Sequence, residues 1–180
     1  FFFSYQVQYM YFRYFMWNFA GRQNDIQGLG DDLDGNWISG ISFIDDNRLG
    51  PQSGLPESRE NKGHNVFFLL PFILGLIGIY FHINRNYQDS IIVALLFLMT
   101  GLAIVVYLNQ YSPQPRERDY AFAASFYAFA IWIGLGVFAL AEWLGEKLNP
   151  RLSAIAVALT CLLLVPGLMA KDGWNDHDRS

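Results

Sequence analysis

The stretch Ile91–Tyr111, IIVALLFLMTGLAIVVYLNQY, decides the fold of this chain. It contains no Asp, Glu, Lys or Arg, and it is long enough for a helix to cross a hydrocarbon core ~30 Å thick. Lipid offers the backbone no hydrogen-bond partners, so a crossing segment must be helical. The stretch is apolar on every side, whereas a core helix of a soluble protein usually keeps a polar stripe. We therefore predict that it spans a membrane.

Three further runs share these properties: Val66–Ile83, Tyr120–Ala141 and Leu152–Ala170. Tyrosine and tryptophan residues lie near the ends of the runs, at the level that amphipathic rings prefer in a bilayer. Short polar connections make consecutive helices antiparallel neighbours. The sequence predicts an all-α, multi-pass transmembrane helix bundle with four spans in residues 66–170.

Residues 1–21 are different, because polar side chains interrupt a run of Phe, Tyr, Met and Trp. The interruptions are Gln6, Gln8, Arg13 and Asn18. This mixture suits a helix that lies along the membrane interface, and a tilted fifth span is the alternative. In either case we expect the segment to associate with the membrane.

Residues 22–65 form a polar block with eight acidic and four basic side chains, which accounts for the whole net charge of −4. No basic stripe is present to attract a nucleic-acid backbone, so nucleic acid is not an expected partner. Apolar residues between Trp37 and Ile44 indicate that the loop packs on the membrane face or on another domain. We place this loop outside the cell, and four crossings put the polar tail at 171–180 on the same side.

The sequence gives little sign of a metal or cofactor site. The single cysteine, Cys161, lies in an apolar run, and the three histidines are far apart. The acids of Asp31–Gly35 do not have the spacing of an EF-hand, so we interpret them as a solvated turn. Because the chain begins at Phe1 and stops in polar sequence, we interpret it as an internal fragment.

Four successive charges, Arg116, Glu117, Arg118 and Asp119, come directly before the third apolar run. Guanidinium groups at this depth can bind a phosphate at the membrane surface, with a carboxylate ordering them. The alternative is that the charges are topology anchors and internal ion pairs. Asp119 is also placed to cap the following helix.

Five strings resemble a known family: YMYFRYFMWNFAGRQNDIQG, GNWISGISFID, TGLAIVVYLNQ, PRERDYAFAASFYAFAIWIGLG and DGWNDHDRS. They are similar to bacterial membrane proteins grouped as domain of unknown function 2723. That family resembles the animal transmembrane protein 260 and is classed with protein O-mannosyltransferases of the GT-C type. The resemblance covers nearly the whole chain.

The resemblance implies a bacterial inner-membrane glycosyltransferase that moves a sugar, mannose by analogy, from a polyprenyl-phosphate donor to a Ser or Thr hydroxyl of an acceptor protein. The catalytic acid of such enzymes lies in a first outer loop, which would precede Phe1, so the catalytic residue of this chain is unknown. The residues assigned to donor-phosphate contact are Arg116, Glu117, Arg118 and Asp119, with Arg22 and Asp25 as weaker candidates. A multi-pass transporter, or a lipid-handling or envelope-assembly protein without catalysis, is the alternative.

Overall fold

The computed structural model describes residues 2–26, 28, 31–52, 63–111 and 118–175, and it is mostly helical. A π-helix, Phe2–Phe12, continues into α1, Arg13–Phe19; the two together are called the N-terminal helix. Strand β1, Gly21–Arg22, pairs antiparallel with β2, Asn65–Val66, and α2 is Ser42–Leu49. The remaining elements are α3 (Leu70–Arg85), α4 (Tyr87–Thr100), α5 (Leu102–Leu108), a 3-10 helix (Asp119–Phe122), α6 (Ala123–Gly145), α7 (Pro150–Leu162), a π-helical segment (Leu163–Gly167) and α8 (Leu168–Asn175).

Three helical segments of the described chain are long and apolar enough to cross a membrane. They are Tyr87–Leu108, Tyr120–Gly145 and Pro150–Lys171, with 22, 26 and 22 residues. At 1.5 Å per residue each is longer than about 30 Å. Many of their leucine, isoleucine and valine side chains are exposed, as expected of surfaces that face lipid. The length and apolar composition of these three segments therefore indicate a membrane protein, as the sequence predicts.

The first predicted span differs from the helix that forms. Asn65 and Val66 are drawn into the strand pair, and Phe68 and Leu69 have left-handed backbone angles, with φ of 51° and 57°. Helix α3 consequently begins only at Leu70 and has 16 residues, about 24 Å. The structure contains three helices of spanning length in the described residues, and the fourth span is not confirmed.

Helix α6 is the centre of the bundle and packs against α3, α4 and α7. Contacts pair early residues of α3 with early residues of α6, because Gly75 meets Phe129 and Arg85 meets Glu142. The two helices therefore run parallel. The order is reversed for α4, where Phe97 meets Trp132, and α5 reaches the start of α6. The connectivity follows the up-and-down arrangement that the short connections predict.

Glycines bring the backbones of α3 and α6 together. A Cβ added at Gly78 would overlap the carbonyl oxygen of Trp132 and lie 2.8 Å from the nitrogen of Gly136. A Cβ at Gly136 would in turn overlap the carbonyl oxygen of Leu74. Small residues at such crossings let membrane helices gain van der Waals contact without large side chains. The pair α3–α6 is thus a backbone-to-backbone interface.

The N-terminal helix packs on one end of this bundle through aromatic rings. Phe15 is 5% exposed, and its ring contacts those of Phe97 and Phe129 at 5.8 and 4.8 Å. Tyr11 donates a hydrogen bond to Ser125 of α6 at 3.1 Å. The segment is helical and joins the apolar bundle, and its second half is largely buried. Its association with the membrane stays a prediction.

The polar loop is ordered by side chains that replace secondary structure. Buried Asn24 accepts from the Gly35 backbone at 2.8 Å and donates to the Leu33 carbonyl at 2.9 Å. Buried Asp45 accepts from the backbone N–H groups of Ser39 and Gly40. These bonds satisfy backbone groups in a segment with few ladder bonds. The described part of the loop packs, through Trp37, against the core that the N-terminal helix forms with α6.

Candidate functional site

The charged motif before α6 is only partly described. Arg116 and Glu117 lie outside the described residues, so their predicted role in phosphate contact is not addressed by the structure. Arg118 is exposed, and its carbonyl accepts from the Ala121 N–H at 3.1 Å. Asp119 begins the 3-10 helix, but the predicted cap depends on its side chain, which is outside the description. The motif is thus located at the start of α6 without a defined site geometry.

Arg22 occupies a defined site. It lies in β1 and is half-buried, and its Nε donates to the Gly63 carbonyl at 2.7 Å. Its guanidinium carbon is 5.5 Å from the centre of the Trp17 ring. Asp25 follows three residues later and is exposed. Arg22 and Arg118 therefore belong to different elements, the strand pair and the start of the 3-10 helix.

A cavity of about 250 Å³ lies beside Arg22, and we call it the Arg22 cavity. Its walls come from the N-terminal helix, the strand pair, α6 and the last helix, namely Tyr14, Trp17, Asn18, Arg22, Asn65, Phe67, Phe126, Met169 and Gly173. Met169 is close to the end of the apolar segment Pro150–Lys171. The cavity therefore lies at the boundary between the apolar helices and the polar loop.

The Arg22 cavity combines a cation with hydrogen-bond donors. The indole nitrogen of Trp17 is buried and has no hydrogen-bond partner among the described residues. Asn65 and Asn18 add carboxamide groups, although the Asn18 amide already donates to the Tyr14 carbonyl at 2.8 Å. Buried donors without a partner cost stability, so the indole N–H is a candidate donor to a ligand only if the cavity walls shift to expose it. The arrangement suits an oxyanion.

A second cavity, of about 380 Å³, lies between the N-terminal helix and the polar loop. We call it the Arg48 cavity; it is lined by Ser4, Tyr5, Gln8, Tyr9, Arg13, Asn36, Trp37 and Arg48. The guanidinium of Arg48 lies 3.8 Å from the centre of the Trp37 ring and donates to the Trp37 carbonyl. Desolvation lowers the pKa of Arg48, with Asp45 and Asp32 acting in the opposite direction. Arginine nevertheless stays charged at neutral pH.

Sequence reasoning missed the roles of Arg13 and Arg48. Arg13 is 3% exposed and is held by the carbonyls of Tyr9 and Gly35 at 3.1 and 3.0 Å. Its guanidinium also lies over the rings of Tyr9, Tyr14 and Trp17 at 4.0, 4.7 and 4.8 Å. Aromatic residues four before and four after an arginine, here Tyr9 and Trp17, are the signal that predicts such contacts on a helix.

Comparisons with known proteins leave the resemblance untested. The chain matches no protein-family model, no curated protein and no solved structure. Within the described ranges no group of three His, Cys, Asp or Glu side chains is arranged to hold a metal ion. The function must therefore be argued from the two cavities and the apolar helices.

Proposed function

We propose that this chain is part of an integral membrane glycosyltransferase that takes a sugar from a polyprenyl-phosphate donor and transfers it to protein Ser or Thr hydroxyls. One observation carries the proposal: the half-buried cation Arg22 lines a cavity at the end of an apolar helix. A lipid-linked phosphate has its charge at this depth while its chain stays in the bilayer. The resemblance of the sequence to the protein O-mannosyltransferase class supports the same assignment.

The chemistry assigned to the Arg22 cavity is stabilisation of the leaving group. When the sugar leaves, negative charge grows on the lipid phosphate, and a fixed cation lowers the free energy of that state. The Trp17 ring beneath the Arg22 guanidinium and the Gly63 carbonyl fix the arginine before the ligand arrives. No described residue is assigned as the base that activates the acceptor hydroxyl.

We also propose that α3 is a fourth, short crossing in a bacterial inner membrane, with residues 22–65 outside. Its parallel packing along α6 supports this arrangement, since α6 itself has spanning length. Single-cysteine accessibility tests it in a Cys161→Ala background of the full-length protein. With four crossings Asp32→Cys and Lys147→Cys react with an impermeant reagent from opposite sides. Reaction from the same side would mean that α3 does not cross.

The transferase assignment is tested by sugar transfer in the full-length protein in membranes. Arg22→Gln keeps a similar size but removes the charge, so we expect at least a tenfold loss of transfer at saturating acceptor, about 1.4 kcal/mol or more in the barrier. Arg22→Lys should recover part of it. The matched control is Lys147→Gln, an exposed cation in the α6–α7 turn.

Equal transfer by Arg22→Gln and the unaltered protein would contradict the proposed role of the Arg22 cavity in stabilising the leaving group. Replacement of Arg116 and Arg118 by Ala tests the other predicted contacts, with membrane insertion measured alongside. Unchanged transfer in that double variant would leave only the anchor interpretation of the motif. Absence of any transfer from polyprenyl-phosphate sugars by the full-length protein would contradict the proposed function as a whole.

A further inference from the structure

The Arg48 cavity is lined by the N-terminal helix and the polar loop. Of its described lining residues, five come from the N-terminal helix and three from the polar loop, and none comes from the three segments of spanning length. The volume of about 380 Å³ falls in the usual range of ligand pockets, about 300–1,000 Å³. Its position suits a ligand that arrives from water.

The charge of the Arg48 cavity is positive. Two arginines line it, and its described lining includes no acidic side chain. Two acids outside the described lining act on Arg48: Asp45, which is buried and already accepts from Ser39 and Gly40 at 2.9 and 2.8 Å, and Asp32, which is exposed. Arg13 is buried and already donates to the Gly35 carbonyl. Arg48 is therefore the exposed cation of the cavity.

The guanidinium of Arg48 is fixed before any ligand binds. It lies on the Trp37 ring and donates to the Trp37 carbonyl. Arg48 itself belongs to the last turn of α2. Trp37 in turn packs against the aromatic core, with its ring 6.5 Å from that of Phe12. A planar, pre-oriented guanidinium is suited to a carboxylate or phosphate, because two parallel N–H groups match two oxygens.

Neutral polar groups surround this cation. Ser4 and Gln8 are exposed on the N-terminal helix and present a hydroxyl and a carboxamide. Tyr5 stacks on Tyr9 with ring centres 5.7 Å apart, and both residues line the cavity. A ring surface next to planar polar groups and a fixed cation can contact the C–H face, the hydroxyls and the charge of one small molecule.

We propose that the Arg48 cavity binds a water-soluble sugar that carries an anionic group, a phosphate or a carboxylate. Arg48 holds the oxyanion, Tyr5 contacts the apolar face of the ring, and Ser4 and Gln8 bind hydroxyls. This site is separate from the Arg22 cavity, so the inference stands on its own lining residues and does not depend on the transfer reaction.

Calorimetric titration of the full-length protein in nanodiscs tests the proposal. The probes are mannose 1-phosphate, glucuronate, inorganic phosphate and the uncharged methyl mannoside. We expect an anionic sugar to bind at least tenfold more tightly than both methyl mannoside and inorganic phosphate. Preference for mannose 1-phosphate identifies a sugar phosphate as the ligand, and preference for glucuronate identifies a uronic acid.

Variants test whether Arg48 binds the ligand. Arg48→Gln should weaken binding of the preferred anionic sugar at least tenfold, Arg48→Lys should recover part of it, and Lys147→Gln, which removes an exposed cation in the α6–α7 turn, should leave it unchanged. Ser4→Ala with Gln8→Leu removes exposed groups, so a loss of affinity there is not caused by unfolding. Equal binding of the neutral sugar, no binding of any anion at millimolar concentration, or unchanged affinity in Arg48→Gln would each overturn the proposal.

Discussion

The crossing of α3 and α6 makes a sharp prediction about Gly78. Replacing it with Ala puts a methyl group onto the backbone of Trp132 and Gly136. Those atoms belong to a helix and cannot rotate away as the end of a side chain would, so the two helices have to separate. Overpacking of this kind costs about 1–3 kcal/mol, and we expect Gly78→Ala to lie at the upper end, about 2–3 kcal/mol.

Gly134 provides the matched control on α6. A Cβ added there meets nothing within 4 Å, so Gly134→Ala gains helix propensity, up to about 1 kcal/mol, without a clash. The free energy of unfolding of each variant is measured in micelles by steric trapping. The two single methyl additions should therefore differ in sign. Equal stability of Gly78→Ala and Gly134→Ala would refute the backbone-to-backbone interface.

Three other variants test the loop, the ion pair and the Arg22 cavity. Asp45→Ala removes the acceptor of the Ser39 and Gly40 amides, so amide exchange in residues 39–49 should accelerate by tenfold or more, since hydrogen bonds to charged groups contribute about 1.5–3 kcal/mol. Arg85→Gln breaks an exposed 2.9 Å pair with Glu142 and should cost under about 1 kcal/mol of unfolding free energy, less in high salt. Trp17→Phe removes the buried indole N–H, so protein stability should hold or rise while affinity for a short-chain polyprenyl phosphate falls.

The membrane character of the chain follows from sequence because it depends on length and charge alone. Runs such as Ile91–Tyr111 have no other folded state in lipid than a helix. The start of α3 did not follow from sequence. Val66 and Phe67 are apolar and continue the run, but Val66 pairs with Gly21 in the strand pair and the Phe67 N–H donates to the Ala20 carbonyl at 2.9 Å. A strand pair between residues more than forty positions apart leaves no local signal.

The site was predictable only in part, for the same reason. Arg22 stood out as a charge directly after an aromatic segment, and the structure gives it a cavity. Arg48 looked like one more charge of an acidic loop, and its position on Trp37 depends on how that loop folds. In the sequence, Arg13 is an interruption of an apolar run. In the structure, its guanidinium contacts three aromatic rings and donates to two backbone carbonyls.

Trp17 contacts one arginine from the lining of each cavity. Its ring lies 4.8 Å from the Arg13 guanidinium and 5.5 Å from that of Arg22, so one indole supports the cation beside each cavity. The Arg22 cavity lies where the N-terminal helix, the strand pair and the last helix meet, and the Arg48 cavity lies between the N-terminal helix and the polar loop. The two proposals therefore place a lipid phosphate and a soluble anion in two cavities that share the N-terminal helix as a wall.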